Sequence, residues 1–500
     1  MPARHPFART EVALGAFTLG VALLAMSPFY GPHRDELYFA SAGQHLAWGY
    51  PDQPPLVALL ARLAAEIDPH NLVLLRIPSL LSVCLVVVLA AMTARLLGGD
   101  RRAQVLAALA TATSVVVVAV GHRLSTQTFD IAAWSALALI SGLALRDDRP
   151  RLWLVAGLVA GVGLNAKHDV AVCLLGLFVG VVLTRSVRHH LRSPWLWLGG
   201  IVALLLWLPN LLWQARNGWP VFELSADIAE EYGGLGGTVE FIVLSLVMFS
   251  PLMSVVWLIG LGALFRRPEW ASLRPLGWMF VVTLVFFLLS SGKAYYLSGA
   301  IVPMLAAGCV VVAQRVQRFV AVAVVLAASA LVAWPGVVPV LPTRTYATSF
   351  YPLIDEDQLE TIGWPEFVET VRGTLEQLPA GTVVFTGKLR GGRCARVVRR
   401  GRPDLQRPQR LGRMGPATGR HRPGRGPGLP VPRGRLHRVC WSGHGPNRRR
   451  RGQRGGGRSC VGVRRTAEVV VPVLDDPGAP RRLNPGGGAL SRRRRPSADR

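Results

Sequence analysis

Charge is scarce in this sequence. Only 17% of its 500 residues are Asp, Glu, Lys or Arg, whereas 51% are hydrophobic, and the mean hydropathy is +0.35. A soluble domain needs more charge than this to cover its surface, so the composition argues against an ordinary soluble protein and favours a membrane protein. Lysine is the rarest charged residue, with three copies in the whole chain.

Cysteine patterns and phosphate loops are also lacking. The six cysteines show neither a Cys-x-x-Cys spacing nor a Cys/His spacing, so we predict no structural zinc and no disulfide framework. No Gly-rich phosphate loop is present, which argues against a nucleotide-binding fold. The first apolar run has no small-residue cleavage site, and we expect it to be a retained helix and not a removed signal peptide.

The net charge of +27 belongs to one part of the chain. Residues 1–386 carry 25 Lys and Arg against 24 Asp and Glu, whereas residues 387–500 carry 31 against 5. The basic character therefore says nothing about the body of the protein, and we predict no nucleic-acid partner.

Apolar stretches of about 20 residues are long enough to span a membrane. They predict an all-α polytopic membrane protein with about 11 transmembrane helices, at 11–30, 74–97, 103–121, 130–146, 152–167, 169–185, 195–213, 238–265, 274–292, 295–313 and 318–335. Basic clusters lie in alternate loops, at 101–102, 146–151, 185–192, 266–267 and 315–318, and at Arg4 and Arg9. The positive-inside rule then places the N-terminus in the cytoplasm.

The opposite, outer side of the predicted membrane receives different material. Polar residues are concentrated in the loops 31–73, 122–129, 167–169, 214–237 and 293–296. Because these loops all fall on one face of the membrane, we expect the functional site there.

The strongest feature of that face is the pair Asp35-Glu36, directly after the first apolar run. A carboxylate partly removed from water can accept a proton near neutral pH, and two adjacent carboxylates can hold a metal. A solvated acidic loop is the alternative. Asp130, Lys167 and Lys293 lie at neighbouring span ends, where ionisable residues are often functional, although lysines there are equally compatible with simple anchoring at the interface.

These motifs resemble a known family. The matching stretches are His33-Arg34-Asp35-Glu36-Leu37-Tyr38, Pro51-Asp52-Gln53-Pro54-Pro55-Leu56, the segment around Asp130, Gly163-Leu164-Asn165-Ala166-Lys167 and Lys293-Ala294-Tyr295-Tyr296-Leu297. Because these stretches occur in this order, the chain resembles the protein mannosyltransferase and aminoarabinose transferase-like group of C-type, multi-spanning glycosyltransferases. The resemblance covers about residues 1–386.

The resemblance implies roles for individual residues. Asp35 would be the catalytic base, and Glu36 and Asp130 would support it. A divalent metal, Mg²⁺ or Mn²⁺, would bind Asp35, Glu36 and His33 if the enzyme uses one, and no other cofactor is expected. Arg123, Lys167 and Lys293 would neutralise the departing phosphate. Tyr295 and Tyr296 would line the lipid groove or serve as interfacial anchors.

The implied reaction is transfer of a sugar from a polyprenyl-phosphate donor to a hydroxyl of a protein, lipid or glycan acceptor, with inversion. It would take place on the outer face of a bacterial plasma membrane, with the membrane lipid as a partner. A secondary transporter would instead show ionisable residues at mid-span and paired broken helices. Another polyprenyl-linked glycan polymerase or ligase, and a non-catalytic membrane protein with a basic tail, also stay open.

Three domains are predicted: a transmembrane glycosyltransferase domain at 1–335, the start of an outer α/β domain at 336–386, and a disordered tail at 387–500. Apolar spacing predicts a helix over 355–378 and a strand over 382–386. The tail is rich in Arg, Gly and Pro, which GC-rich DNA yields when translated out of frame. Codons chosen for 387–395 give, one base later, a peptide resembling the family's outer domain. We hypothesise a frameshift near residue 386, which resequencing would test.

Overall fold

The computed structural model describes residues 5–377 and the strand residues 383–384, 398–399, 436–441 and 465–470. Within them, α-helices span Arg9–Met26 (α1), Arg34–Gly43 (α2), Leu56–Ile67 (α3), Leu72–Leu96 (α4), Arg101–Thr113 (α5), Val115–His122 (α6), Thr126–Arg146 (α7), Leu152–Leu164 (α8), Val170–Leu183 (α9), Pro194–Arg216 (α10), Pro220–Glu231 (α11), Gly234–Val247 (α12), Pro251–Arg266 (α13), Arg274–Leu289 (α14), Ser298–Arg315 (α15), Phe319–Leu331 (α16), Thr343–Thr348 (α17) and Trp364–Glu376 (α18). Short 3₁₀ helices span Arg185–Arg192, Pro268–Leu273, Ala294–Leu297, Trp334–Gly336, Tyr351–Leu353 and Glu356–Thr361.

Four short strands complete the described elements. They are Val383–Val384 (β1), Val398–Arg399 (β2), Leu436–Trp441 (β3) and Arg465–Val470 (β4). β1 pairs with β2 and β3 pairs with β4, both in antiparallel fashion.

The predicted fold class, an all-α polytopic membrane protein, is confirmed. In the described part of the chain, 7 helical segments are long and apolar enough to cross a membrane, and 3 further helix pairs pass the same test but are bent. The apolar helix Leu152–Leu164 is shorter. Each of these elements coincides with one of the predicted apolar stretches, but their number as spans and the side on which the N-terminus lies stay predictions.

The predicted stretch 238–265 is not one straight helix. It consists of α12 and α13, which meet at an angle of 90°. Pro251 is the first residue of α13 and has no N–H to continue the helix before it, whereas it is well tolerated at a helix start. The proline was therefore a visible signal for this break.

α15 lies at the centre of the bundle and α10 at its edge. In the most apolar 18 residues of the span that contains α15, 83% of the residues are buried. In the corresponding 18 residues of α10, only 17% are buried. Peripheral helices expose many leucines and valines, as expected of surfaces that face lipid tails. The centre of the bundle is therefore packed helix against helix, and its outer surface is apolar.

Glycines set the closest helix contacts. At Gly260 of α13 an added Cβ would collide with the Met304 carbonyl oxygen of α15, and at Gly308 of α15 it would collide with the Val256 carbonyl oxygen of α13. Small residues allow membrane helices to approach to backbone contact, where van der Waals packing holds them together.

The polar segments contain helices of their own and meet at one end of the bundle. The stretch 31–73 forms α2 and α3, and the stretch 214–237 contains α11. The Leu56 amide donates to the Asn165 carbonyl at 2.9 Å, and the Asn210 side chain donates to the Trp48 carbonyl at 2.9 Å. We call the end at which these polar segments meet the polar end of the bundle.

The chain divides into two compact units, Met1–Glu366 and Phe367–Arg500. Residues 336–366 thus belong to the first unit, together with the transmembrane helices. The helix predicted over 355–378 is a 3₁₀ helix followed by α18, separated at Gly363, whose φ is 84°. β1 lies inside the strand predicted over 382–386. The frameshift and the lack of a compact fold over 387–500 fall largely outside the described residues, and the three-domain division stays a prediction.

Candidate functional site

Asp35 and Glu36 lie in the first turn of α2, which begins with a capping box. The His33 Nδ1 accepts a hydrogen bond from the Asp35 amide at 3.2 Å, and the Glu36 carboxylate accepts one from the His33 amide at 2.8 Å. This reciprocal arrangement satisfies amides that a helix start leaves without partners. The position of both predicted carboxylates is therefore fixed by the local sequence from His33 to Glu36.

Glu36 is fully buried and both of its oxygens are occupied. Arg76 of α4 donates to it through Nε at 2.9 Å and Nη2 at 2.8 Å, and the Leu124 amide donates at 3.0 Å. Arg76, itself buried, also donates to the carbonyls of Ser27 and Gly31. The pair therefore joins α2, α4 and the segment after α6, a geometry typical of a structural anchor.

Arg76 was not among the predicted residues, although a signal existed. Apart from Arg95 in the last turn, it is the one charged residue of an apolar 25-residue helix. An ionisable residue within a membrane helix marks a functional or structural site, usually with a partner.

Asp35 differs from its neighbour because its side chain is 49% exposed. It contacts Arg34 Nε at 3.3 Å and lies 3.8 Å from His33 Nδ1. Asp35 is also close enough to Arg123 and Asp52 to affect them electrostatically. A half-exposed carboxylate with spare acceptor capacity can receive a proton from a substrate hydroxyl.

A second cluster, which we call the Lys167 cage, forms between α7, the turn before α9 and the segment before α15. The Lys167 ammonium lies 2.6 Å from Asp169 Oδ2 and donates to Gln127 Oε1 at 2.5 Å. It also lies over the rings of Tyr296, at 4.1 Å, and Tyr295, at 5.2 Å. Aromatic faces attract cations, so the cage holds the positive charge in a buried place.

Asp130 is part of the same cluster. Its carboxylate is fully buried and accepts hydrogen bonds from Trp134 Nε1 at 2.8 Å and Gln127 Nε2 at 3.3 Å. Burial alone would lower the pKa of Lys167, but Asp169 and Asp130 together raise it above its ordinary value. Lys167 is therefore a cation at neutral pH. The structure thus brings four predicted residues together, namely Asp130, Lys167, Tyr295 and Tyr296.

The remaining two predicted cations lie outside the cage. The Lys293 ammonium lies 4.9 Å from the ring centre of Tyr232, at the end of α11. Arg123, which follows α6, donates to Asp355 Oδ2 at 2.8 Å and is largely buried. Burial raises the pKa of Asp355, and the Arg123 guanidinium opposes that rise.

The predicted metal ligands do not fit a divalent cation. The oxygens of Glu36 are already occupied by four donors. His33 Nδ1 accepts an amide hydrogen, so its neutral ring carries the proton on Nε2, which faces Glu360 Oε2 at 3.6 Å. Burial, with Arg123 as the next cause, lowers the pKa of His33 to about 2 and keeps the ring neutral.

Ligand atoms of His33, Asp357 and Glu360 do lie within 4.8 Å of one another. However, Arg34 Nη1 donates to Glu360 at 2.7 Å, and a bound cation would have to displace that guanidinium. The proton on His33 Nε2 would also have to leave. We therefore derive no step through a metal.

Comparisons with known proteins give a family match and a fold. Residues 52–213 match the model of the dolichyl-phosphate-mannose-protein mannosyltransferase family. The predicted resemblance to this family is therefore confirmed over residues 52–213. The matching segment contains Arg123, Asp130 and Lys167, whereas Asp35 precedes it.

One curated relative of the chain is the lipopolysaccharide core galacturonosyltransferase RgtB of Rhizobium johnstonii. It is 26% identical over 288 residues, which are 54% of this chain and 58% of that protein. The chain therefore aligns with little more than half of the length of this relative.

Solved structures show the same fold. ArnT from Cupriavidus metallidurans bound to undecaprenyl phosphate has a TM-score of 0.53 and 17% identity, over 76% of this chain and 82% of that chain. The apo state of the same protein has a TM-score of 0.52, over 75% and 81%.

Proposed function

We propose that the chain is a membrane glycosyltransferase that moves a sugar from a polyprenyl-phosphate donor to an acceptor hydroxyl. The observation that carries the proposal is that the half-exposed carboxylate Asp35 and the caged cation Lys167 lie at the same polar end of the bundle. Buried neighbours position both residues: Glu36 shares the capping box with Asp35, and Asp130 holds Lys167 through Gln127. The description of the dolichyl-phosphate-mannose-protein mannosyltransferase family and the undecaprenyl phosphate bound to ArnT support the donor class, and the name of RgtB supports sugar transfer.

In the proposed step, Asp35 takes the proton of the acceptor hydroxyl. The acceptor oxygen then forms a bond to the anomeric carbon of the sugar while the bond from that carbon to the phosphate oxygen breaks. The electron pair leaves with the lipid phosphate, and attack from the opposite side inverts the configuration.

Lys167 offsets the charge that develops on the phosphate, with Lys293 and Arg123 as further cations. A fixed cation in a site of low water content stabilises such a charge far more than solvent does. Asp130 keeps Lys167 charged and, through Gln127, in position. Tyr295 and Tyr296 line the groove that admits the lipid from the bilayer.

The orientation of the site is part of the proposal. The basic clusters alternate along the chain with the polar loops, so the positive-inside rule favours an orientation with the polar end outside a bacterial plasma membrane. A donor whose tail lies in the bilayer would reach the site by lateral diffusion. The acceptor would be a protein, lipid or glycan hydroxyl on that side.

The test uses the full 500-residue chain in lipid nanodiscs with a panel of undecaprenyl-phosphate sugars and of protein, lipid and glycan acceptors, and it measures release of undecaprenyl phosphate. Asp35→Asn should lower the release rate by about 10²–10⁴-fold, as expected for loss of a general base. Asp68→Asn is the matched control, since Asp68 is an exposed carboxylate whose Oδ1 only accepts from the His70 amide. Unchanged release by Asp35→Asn would refute the base, and a folded protein that releases nothing would refute the function.

The bent helix pairs favour a second candidate, a transporter of the lipid-linked sugar. Transporters bind substrates where helices are broken, and α12 and α13 meet at 90°. Such a protein would move the donor across the membrane intact. Release of free lipid phosphate, without which no transfer occurs, separates the two functions.

A further inference from the structure

Three carboxylates from one short segment cover the N-terminus of α2. We call residues 355–361 the acidic strap; it consists of Asp355 and the 3₁₀ helix Glu356–Thr361. Asp355 Oδ2 accepts from Arg123 Nη2 at 2.8 Å, and Glu360 Oε1 accepts from Arg34 Nη1 at 2.7 Å. Asp357 Oδ1 lies 3.7 Å from Arg34 Nη2. The strap thus places a negative group on each of two arginines beside Asp35.

The strap is attached to the rest of the first unit by a few backbone contacts. The Gly31 amide donates to the Thr361 carbonyl at 2.8 Å, and the Tyr346 hydroxyl donates to the Asp355 carbonyl at 3.0 Å. Between these two points Gln358 is buried, and the strap carboxylates form ion pairs with the arginines. A segment held in this way can move when the ion pairs are exchanged for others.

One of the two arginines has donor capacity that the strap does not use. Arg123 Nη1 is buried and has no hydrogen-bond partner in the described part of the chain. A buried guanidinium donor without a partner is costly, so its presence indicates a site shaped for a ligand with more acceptor oxygens than Asp355 supplies to Arg123.

We propose that Arg34 and Arg123 form a binding site for an oxyanion group of the substrate, and that the strap carboxylates occupy this site until the substrate displaces them. The proposal rests on the proposed function and names a further binding site for it. The oxyanion is either the phosphate common to all polyprenyl-phosphate donors or the carboxylate of an acidic sugar. Both match the planar, bidentate donors of a guanidinium.

Occupation by the strap has a measurable consequence. A site that is free for only a fraction of the time binds its ligand more weakly by that fraction. Removing strap charges should therefore tighten binding of the ligand, which is the opposite of what loss of a substrate contact would do.

The experiment measures binding and strap exchange and does not depend on turnover. The full chain in nanodiscs is incubated with undecaprenyl phosphate or with free galacturonate, and hydrogen exchange of strap peptides is followed by mass spectrometry. Undecaprenyl phosphate should accelerate exchange of the strap amides about tenfold if the phosphate is the ligand. If the sugar carboxylate is the ligand, galacturonate should do so instead.

Two variants and one control complete the test. Asp355→Asn combined with Glu360→Gln should tighten binding of the effective probe about tenfold, and Asp357→Asn, whose carboxylate is farther from Arg34, should have a smaller effect of the same sign. Glu356→Gln is the control, because Glu356 is an exposed carboxylate of the same segment. It should leave exchange and affinity unchanged.

Unchanged strap exchange with both probes would overturn the proposal, whether or not sugar transfer is observed. So would unchanged affinity in both strap variants. If the double variant fails to fold, the single variant Asp357→Asn still decides. Binding of undecaprenyl phosphate without strap movement would refute the strap and leave the proposed function intact.

Discussion

The Glu36–Arg76 pair and the Lys167 cage are two buried charged groups at the polar end of the bundle, and their charges are satisfied differently. Each Glu36 oxygen accepts two hydrogen bonds, and Arg76 spreads its donors over Glu36 and two carbonyls. Lys167 instead has two oxygen contacts and two aromatic rings. An aromatic ring attracts a cation but does not accept its N–H groups as an oxygen does. The Lys167 ammonium can therefore still donate a hydrogen bond to a new oxyanion. The first pair is suited to holding structure and the second to chemistry.

The largest expected effect concerns the first pair. Arg76→Leu leaves Glu36 buried without its partner, which should lower the free energy of unfolding by about 3–5 kcal/mol. Denaturant unfolding of the full chain in nanodiscs measures this loss. Arg95→Leu at the other end of the same helix is the control, since Arg95 is half-buried and donates to a single carbonyl, that of His5. Equal stability of the two variants would contradict the structural role of Arg76.

The next effect concerns the cage. Lys167→Met removes the cation but keeps much of the side-chain length, and it should slow release of undecaprenyl phosphate by about 10²–10³-fold, the usual cost of one electrostatic stabiliser. Lys167→Arg keeps the charge and should lose less. Donor binding and turnover measured separately would show whether the loss lies in the chemical step. Release at the normal rate by Lys167→Met would mean that the cage is only structural.

His33, which caps α2 beside the Glu36–Arg76 pair, makes the stability of the protein depend on pH. Burial holds the pKa of His33 at about 2 in the folded protein, against an ordinary value of 6.5. The unfolded chain therefore binds a proton first, and the stability that neutral His33 contributes above pH 6.5 is lost as pH falls from 6.5 towards 2. The loss should be about 1.4 kcal/mol per pH unit below 6.5.

His33→Asn keeps a side chain that can cap the helix but does not titrate. Between pH 6.5 and 4 its free energy of unfolding should fall less steeply than that of the parent chain. The two slopes should differ by about 1.4 kcal/mol per pH unit. Parallel stability curves for the two proteins would show that His33 is protonated at little cost.

The smallest expected effect separates the two rings of the cage. Tyr296 lies closer to the Lys167 ammonium than Tyr295 does, and a cation–π contact contributes at least about 0.5–1 kcal/mol. Tyr296→Leu should therefore slow lipid-phosphate release by about two- to fivefold, and Tyr295→Leu by less. The reverse order would show that Tyr295 contacts the donor directly.

The helices, and the common end of the bundle at which the site residues lie, could be predicted because both depend on local signals. An apolar run predicts a span from its own composition, and ionisable residues at successive span ends are expected on one side of the membrane by simple alternation. That Asp130, Lys167 and the two tyrosines lie near one another follows from this alternation, but their individual contacts do not. Pro251 is another local signal, and it marks the break between α12 and α13.

Pairings between distant residues could not be predicted. Glu36 looked like a catalytic partner of Asp35, but it is bound to Arg76, 40 positions away, and nothing in the sequence joins them. The strap is similar, since Asp355 and Arg123 are 232 positions apart. Long-range ion pairs depend on how the helices pack, which apolar periodicity does not specify.

The buried pair also has a consequence for how the protein is made. Glu36 leaves the ribosome before Arg76, so α4 enters the bilayer when its future partner has already been synthesised. An arginine near the end of a span costs less to insert than one at its centre, because its long side chain reaches the interface. We therefore expect α4 to insert with Arg76 in the headgroup region and to draw α2 down onto the bundle afterwards, so that the segment carrying Asp35 is ordered late in biogenesis.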